Sequence, residues 1–335
     1  MLPSKLDFLA HVRCLRGASK AQGVELLLAA ESMQAMLRRD SRFWVLHPQF
    51  IAVRGGVTQY VRQLDDDVTH FAGWLPYRLR RWPEAMDKLV FKERARQAGL
   101  RVPEHGRDPT VPMSNVVVKR ALSSFGTQVH GPYRDSGEHA LDLAAGDYHE
   151  HFIDGRLLKL WCWGGQAIGL EVDPMPTVVG NGHSTLEQLI DGRSRLARSQ
   201  TPERLATLLA RSEVVLRYDG RTLADVLEPD QRQRVEFRYG SELMHPRDRQ
   251  LVDLQASTEP RWEPLREAAR TMAGWLPDGL RDDTVFTVDA VLDTEDRAWL
   301  LEMNCNPMVH PLLYLPMLSA LMAHAAPAAS ALTDS

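Results

Sequence analysis

Two carboxylates near the C-terminal end of the chain have the spacing of an opposed pair in a β-hairpin. The runs 285–292 and 299–303 are rich in strand-forming residues, and a polar turn-like segment separates them. If the hairpin closes symmetrically about residues 295–296, Asp289 lies directly opposite Glu302. Carboxylates opposed across a sheet repel each other, so the sheet gains no stability from this pair.

The same closure places a hydroxyl and an amide on the face of the two carboxylates. Thr287 lies opposite Asn304, and side chains two residues apart on a strand point to the same side. The other face is apolar and suits a hydrophobic core, with the predicted pairs Val288–Met303 and Ala290–Leu301. A divalent cation would relieve the repulsion, because Mg2+ takes carboxylate and amide oxygens and keeps room for phosphate oxygens. The alternative is a solvated face whose charges point into water, and a β-bulge would break the register.

The residues of this hairpin resemble a known metal-binding segment. The pattern D-x-V-x-D followed by L-L-E-M-N-C-N-P resembles the C-terminal metal-binding segment of the ATP-grasp ligases. In that family the Asp, the Glu and the Asn two residues beyond it hold two magnesium ions against the phosphates of ATP. The resemblance implies ATP and Mg2+ as cofactors, with Mn2+ as a substitute ion. It implies metal-ligand roles for Asp289, Glu302 and Asn304.

The composition is that of an ordinary globular protein, since 44% of the 335 residues are hydrophobic and 25% are charged. A net charge of −4 argues against a nucleic-acid partner. No apolar run is long enough to span a bilayer and the N-terminus lacks a signal-peptide core, so we expect a cytoplasmic protein without a membrane partner. The three cysteines are widely spaced and fit neither a disulfide framework nor a zinc site. We interpret Cys305 as a packing residue, the alternative being a nucleophile.

The first 83 residues alternate short apolar runs with polar turns. Val24–Ala30, Phe43–Leu46 and Phe50–Arg54 have the composition of strands, and Ser32–Arg39 has the pattern of a short amphipathic helix. Strands that alternate with a helix predict a small α/β domain over 1–83. The whole chain contains neither GxGxxG nor GxxxxGK[ST], the two glycine-rich phosphate-binding fingerprints.

A helix is predicted from Pro83 to Ala98, because proline suits the first helical position and Gly99 suits the stop. Its residues M-D-K, with the following G-L-R-V-P, resemble the entry helix of ATP-grasp proteins, whose lysine reaches the nucleotide phosphates. The resemblance assigns that role to Lys88. The alternative is a surface lysine paired with Glu84 four residues earlier.

A strand and a small-residue loop follow. Val116–Lys119 is β-branched and ends in a lysine, and a second strand-like run begins at Gln128. Such a loop can fold over phosphates and offer backbone N–H groups, while Lys119 adds a charge. The segment resembles the phosphate lid of the family, with Arg120 in place of the usual proline. The predicted loop contacts are Ser123, Ser124 and Gly126, and the alternative is a flexible surface hairpin.

The segment Tyr148 to Gly155 resembles the hinge of the family, where backbone groups bind the adenine edge and a glutamate contacts the nucleotide. This implies nucleotide contacts for Glu150, His151, Phe152 and Ile153. Leu157 and Leu158 stand where many relatives carry an acidic residue for the ribose, so ribose recognition must differ. His149 and His151 share a face, but no third ligand lies nearby, which favours structural histidines over a metal pair.

The run V-V-G-N-G-H-S-T-L-E-Q-L-I-D closely resembles the ATP-grasp part of cyanophycin synthetases and related amino-acid ligases. Relatives often carry a basic residue shortly before it, where this chain has Glu171 and Asp173. If substrate binds there, a cationic acceptor is expected. Arginine also stands two residues before the metal-binding aspartate in relatives such as D-alanine ligases, where it contacts the reacting carboxylate. Here that position is Thr287, and Arg281 or Arg238 is the hypothetical catalytic substitute.

The resemblance covers roughly residues 84–320 and implies an α+β protein of the ATP-grasp fold. Two α+β lobes, 84–147 and 148–324, would grip ATP between antiparallel sheets, followed by a disordered tail at 325–335. The implied reaction joins a carboxylate to an amine through an acylphosphate and releases ADP and phosphate. The substrates would be small molecules or peptides, and dimers are common in the family. The alternatives are a kinase that phosphorylates a hydroxyl and a catalytically silent scaffold that binds ATP.

Overall fold

Helices and antiparallel sheets make up the protein, which confirms the α+β class predicted from the sequence. The computed structural model describes residues 5–55, 57–123, 128–195, 201–244 and 248–324. The tail predicted at 325–335 lies outside the described residues. No helix in the described part of the chain is long and apolar enough to cross a membrane.

The N-terminal part consists of one helix packed on five antiparallel strands. These elements are α1 (Lys5–Ala21), β1 (Glu25–Leu28), β2 (Ala35–Arg39), β3 (Arg42–Arg54), β4 (Val57–Val61) and β5 (Val68–Leu75). The strands form the order β1-β2-β3-β4, and β5 pairs with β3. The chain therefore forms a fully antiparallel sheet with one helix here instead of the predicted α/β layer.

The helix predicted at Ser32–Arg39 is wrong, because most of that segment is strand β2. Its residues alternate between the core and the outer face, with Ala35 and Leu37 fully buried. Met33 and Asp40, at the turns on either side, adopt positive φ angles of 55° and 56°. Turns at both ends leave too few residues for a stable helix and favour pairing with the neighbouring strands.

The middle part begins with the predicted helix, which is broken in two. Its elements are α2 (Pro83–Met86), α3 (Lys88–Gln97), β6 (His105–Gly106), β7 (Ser114–Arg120), β8 (Val129–Asp135) and β9 (Asp147–His151). Asp87 interrupts the helix with an extended backbone, and its carboxylate accepts a hydrogen bond from the N–H of Leu89 at 2.8 Å. An aspartate in this position caps the new helix and satisfies its free N–H groups. The strands form a sheet in the order β6-β9-β7-β8.

The C-terminal part is built on a five-stranded sheet in the order β14-β11-β10-β15-β16. Its elements are β10 (Gly155–Trp163), β11 (Gln166–Pro174), β12 (Thr177–Val179), α4 (Leu186–Arg195), α5 (Pro202–Tyr218), β13 (Arg232–Arg234), β14 (Gln250–Asp253), α6 (Glu263–Ala273), β15 (Val285–Asp293), β16 (Ala298–Cys305) and α7 (Tyr314–His324). Strands β12 and β13 form a separate ladder.

One face of the five-stranded sheet is the base of the largest core. Leu160, Phe286 and Val288 pack there against Phe91 of α3 and Met272 of α6. The other face, called the front face below, carries three bands across β10 and β15. At the β9 end, Leu157 and Val291 belong to an apolar cluster with Phe152. At the opposite end, Trp161 and Trp163 pack in a cluster with the N-terminal part of the chain. A charged row lies between these apolar bands.

We predict that Gly155→Ala lowers the free energy of unfolding by about 1–3 kcal/mol, the range typical of overpacking. A Cβ at Gly155 would lie 2.1 Å from the carbonyl oxygen of Leu292, a backbone atom of the paired strand that cannot move aside freely. Chemical denaturation measures the difference. Gly192→Ala is the matched control, because a Cβ there meets nothing within 4 Å and alanine favours its helix. Equal stability of the two variants would contradict the steric argument.

Candidate active site

The two carboxylates of the C-terminal hairpin do face each other. Asp289 on β15 pairs with Glu302 on β16, and Thr287 pairs with Asn304, as the sequence predicts. The Asn304 amide nitrogen donates to the Asp289 carboxylate at 3.4 Å. Beyond this point a bulge moves the register, so Ala290 pairs with Leu300 and not with the predicted Leu301. Near the turn, each residue of β15 pairs one residue earlier on β16 than predicted. The bulge restores the predicted register at Asp289 and Glu302.

The acidic pair is part of a charged row that crosses four strands. Lys159 on β10 lies opposite Asp289, and Glu171 on β11 lies opposite Lys159. The row therefore reads Glu171, Lys159, Asp289, Glu302 on the front face. The Lys159 ammonium contacts the Asp289 carboxylate at 2.6 Å. Sequence reasoning missed Lys159, although a single charge within the apolar run 157–163 was a signal of a functional position.

Cations from the middle part of the chain approach the same row. The Lys88 ammonium lies 3.0 Å from the Glu302 carboxylate and donates to the Ser123 carbonyl at 2.7 Å and hydroxyl at 3.1 Å. The alternative of a surface pair with Glu84 is not realised, because Glu84 bonds to Arg94. Lys88 thus connects the predicted phosphate loop to the hairpin of β15 and β16, the predicted metal hairpin. The predicted contacts Ser124 and Gly126 lie outside the described residues.

The surroundings give the two carboxylates different proton affinities. Burial raises the pKa of Asp289, and the charge of Glu302 raises it further against the opposing effect of Lys159. Burial also disfavours the ionised form of Glu302, but Lys88 and Lys119 hold its pKa below the ordinary value. The two carboxylates are therefore compensated unequally, Asp289 by one lysine and Glu302 by two.

The donor set suits magnesium. Asp289 and Glu302 offer carboxylate oxygens and Asn304 offers an amide oxygen from the same face. No group of three or more His, Cys, Asp or Glu side chains that could hold a metal lies within the described ranges. Two carboxylates and an amide do not form a closed protein cage. They fit an ion that is shared with substrate phosphates, which is how proteins commonly bind Mg2+.

Near the charged row, one buried glutamate pairs with two lysines of the middle part of the chain. Glu150 is 1% exposed, and its two oxygens lie 2.6 Å from the ammonium groups of Lys119 and Lys92. Lys92 is fully buried and also donates to the Leu301 carbonyl at 3.0 Å. Sequence reasoning missed Lys92, which lies one helical turn after Lys88 and therefore on the same face of α3.

Charge and burial act in opposition within this triad. Burial alone would raise the pKa of Glu150, but Lys119 and Lys92 lower it to about 2. Burial lowers the pKa of Lys92 to about 8 against the attraction of Glu150. Both oxygens of Glu150 are engaged by lysines here, and its predicted contact with a nucleotide stays a prediction.

The hinge segment uses some of its backbone donors internally. The N–H of His151 donates to Glu104 at 2.7 Å, and the N–H of Phe152 donates to Asn115 at 2.6 Å. Ile153, the next residue, is therefore the better candidate donor to an adenine ring. The Phe152 ring packs in the apolar band at the β9 end of the row.

The two arginines predicted as catalytic do not reach the acidic pair. Arg238 donates to Glu236 and to the Val129 carbonyl at 3.1 Å. Arg281 is half-exposed and lies 3.7 Å from Asp278. Their catalytic role stays a prediction, whereas Lys159 is the cation that contacts Asp289.

The acidic residues expected to attract a cationic acceptor are already paired. Asp173 is fully buried and bonds to Arg249 at 2.8 Å. Glu171 lies 3.1 Å from the same guanidinium and accepts a hydrogen bond from Tyr239. This arrangement gives no support to the cationic-acceptor hypothesis.

Comparisons with known proteins give weak structural likenesses. No family model and no curated protein matches the chain. Among solved structures, a bifunctional glutathione synthetase from Pasteurella multocida is 15% identical with a TM-score of 0.41, over 94% of this chain and 43% of that one. A D-alanine–D-alanine ligase from Bacillus anthracis is 12% identical with a TM-score of 0.39, over 72% and 67%. An L-amino acid ligase from Bacillus licheniformis is 12% identical with a TM-score of 0.32, over 68% and 43%. At these scores the likeness carries no conclusion about this chain.

We predict that the buried triad of Lys92, Glu150 and Lys119 makes the free energy of unfolding fall at low pH. The pKa of Glu150 falls from 4.5 when unfolded to about 2 when folded, so its contribution is complete above pH 4.5 and is lost as pH falls toward 2. The contribution is about 3 kcal/mol at most. Urea unfolding between pH 6 and 2 measures it.

Glu150→Gln should flatten this acid dependence, because the variant has no carboxylate to protonate at this position. The matched control is Glu267→Gln, which changes an exposed glutamate on α6 and should leave the wild-type slope unchanged. An equally steep loss of stability in Glu150→Gln would show that other carboxylates cause the acid dependence.

Proposed function

We propose that the chain is an ATP-grasp ligase that joins a carboxylate to an amine through an acylphosphate, with release of ADP and phosphate. The observation that carries the proposal is the charged row on the front face. It lies between an apolar band suited to adenine and the N-terminal part of the chain, and lysines approach it from the middle part. In this proposal residues 84–147 form the small lobe and 148–324 the large lobe.

Each group of residues has a role that follows from its chemistry. Asp289, Glu302 and Asn304 would hold Mg2+, which when bound neutralises charge on the phosphate oxygens. Lys88 and Lys119 would contact the phosphates, because both ammonium groups lie near the charged row. Lys88 lies beside Glu302, and Lys119 lies beside Glu150. These cations favour the transferring phosphoryl group by electrostatics and require no protein nucleophile.

Lys159 is the best candidate for the cation beside the reacting carboxylate. It lies on the front face next to Thr287, the position at which relatives carry arginine, across the β10–β15 ladder. The Thr287 hydroxyl is fully buried and has no hydrogen-bond partner among the described residues. A substrate carboxylate between these groups would gain an ammonium and a hydroxyl donor. One carboxylate oxygen would attack the γ-phosphorus as ADP leaves, and the amine would then displace phosphate and lose one proton.

The test measures ADP and phosphate in parallel, with Mg2+, ATP and pooled amino acids, and with hydroxylamine as a general amine. The ligase proposal expects both products together with a hydroxamate that depends on one acid. ADP without phosphate would replace the ligase with a kinase. ATP binding without turnover, both in this pool and in a second assay with pooled dipeptides, would contradict the proposed substrate classes and favour the scaffold.

We predict that Asp289→Asn abolishes the magnesium-dependent part of ATP binding. The substitution removes a charged ligand and leaves Lys159 without its partner at 2.6 Å. Calorimetric titration of ATP with and without Mg2+ measures the effect. Asp296→Asn, at the exposed turn of the same hairpin, is the control and should bind as the wild type does. Unchanged magnesium dependence in Asp289→Asn would remove the metal assignment.

We also predict that Lys159→Met lowers kcat by about 100-fold or more, the loss that follows removal of one preorganised donor. ATP binding should change little, because the lysine would act on the second substrate. Steady-state kinetics and ATP titration together measure this. Lys20→Met, at an exposed site on α1, is the control. A Lys159→Met enzyme with normal turnover would show that Lys159 only compensates Asp289.

A further inference from the structure

A buried amide on the N-terminal sheet lacks a hydrogen-bond partner. Gln49 of β3 is 4% exposed, and its side-chain nitrogen has no partner within the described ranges. Native structures rarely leave a buried donor unpaired, because the group has lost its water without gaining a replacement. An acceptor supplied by a bound molecule would satisfy it.

The strand register places a histidine and two arginines near this amide. His47 precedes Gln49 by two residues on β3 and therefore shares its face. Arg62 follows the end of β4, whose Val61 pairs with Phe50, and Arg78 follows the end of β5, whose Leu75 pairs with His47. This register agrees with the electrostatics of His47, whose pKa is lowered first by burial and then by the positive charges of Arg78 and Arg62.

No ion pair within the described ranges balances the positive charge of the two arginines. Arg62 and Arg78 are exposed and form no ion pair with another described residue. The neighbouring arginines differ, since Arg54 pairs with Asp65 and Asp67, and Arg80 pairs with Asp283. The free donors at this place, called the cationic site below, are those of His47, Gln49, Arg62 and Arg78.

The cationic site adjoins the charged row of the candidate active site. Tyr60 of β4 lies two residues before Arg62, hydrogen-bonds to the backbone of Met308 and is close enough to Asp289 for its charge to act on the phenol. Asn306, at the end of the metal hairpin, accepts from the N–H of Arg80 at 2.9 Å and donates to its carbonyl at 2.6 Å. These contacts hold the ends of β4 and β5 against the hairpin that carries Glu302.

We propose that the cationic site binds a carboxylate of the substrate other than the one that reacts. The inference rests on the proposed function, because the reacting end of that substrate would lie at Asp289 and Glu302. Guanidinium, imidazole and amide groups donate hydrogen bonds, and a carboxylate accepts several at once, with arginine able to bind both oxygens. The substrate class is therefore an amino acid or peptide with a second carboxylate, which is either the main-chain carboxylate or an acidic side chain.

Saturation-transfer NMR on the full chain tests the site with three pools of dipeptides. The first pool has neutral side chains and free C-termini, the second is the same pool amidated, and the third is amidated but contains glutamate. Transfer to the first or third pool and not to the second supports the site and tells the main-chain carboxylate from the side-chain carboxylate. Equal transfer to all pools, or none to any, overturns it.

Variants then locate the binding. Arg62→Ala with Arg78→Ala should weaken binding of the preferred pool by about tenfold or more, because hydrogen bonds to charged groups are lost. Arg13→Ala with Arg16→Ala removes the same charge from the exposed side of α1 and should have no effect. Wild-type binding by the first double variant would overturn the proposal.

Gln49→Leu separates a binding role from a structural one. Removal of an unpaired buried amide should leave the unfolding temperature unchanged or raise it, while binding of the preferred pool weakens. A lower unfolding temperature with unchanged binding would assign Gln49 to structure alone and overturn its place in the site.

ATP titration of the same samples keeps the two proposals apart. Carboxylate binding without ATP binding would reject the ligase function and keep the site, whereas ATP binding without carboxylate binding would reject the site alone.

Discussion

Asp289 and Glu302 face each other from neighbouring strands, and the chain gathers lysines from three separate elements to hold this charge. Lys159 comes from the adjacent strand β10, Lys88 from the start of α3 and Lys119 from β7 of the facing sheet. A pair of carboxylates costs free energy in a folded protein unless cations compensate it. The position of the middle part relative to the five-stranded sheet is therefore coupled to the charge of the hairpin.

The buried triad of Lys92, Glu150 and Lys119 extends that coupling into the core. Lys92 contacts both Glu150 of β9 and the carbonyl of Leu301, the residue at the bulge of the β15–β16 hairpin. Helix α3 thus contacts both β9 and β16 through one side chain. The interaction energy of buried charges depends strongly on the distances between them, because the surrounding dielectric constant is low. The triad therefore suits a rigid part of the structure.

On the front face, the charged row lies between two apolar bands. An apolar band near Phe152, the charged row and a second apolar band near Trp161 follow one another along β10. The N-terminal sheet closes the far end of this series and supplies the unbalanced positive charge around Gln49.

The sequence by itself determined that Asp289 and Glu302 face each other, because strand alternation and turn position set which residues pair across a hairpin. The α+β class and the roles expected for Lys88 and Lys119 came from the resemblance of their segments to a known family; the class is confirmed and the two roles stay predictions. The predicted helix at Ser32–Arg39 was wrong because turn geometry on both sides outweighed a weak helical pattern. Lys92 and Lys159 were missed because their roles depend on partners 58 or more residues away in the chain.

Only the tertiary structure decided which cations serve the acidic pair. Arg238 and Arg281 were reasonable from sequence, but the fold engages Arg238 with Glu236 and leaves Arg281 half-exposed beside Asp278. Lys159 reaches Asp289 because β10 and β15 pair in one register, and no local pattern in either strand specifies that register. Pairing between strands distant in sequence depends on the packing of the whole core, and this is the physical reason that the sequence alone did not reveal it.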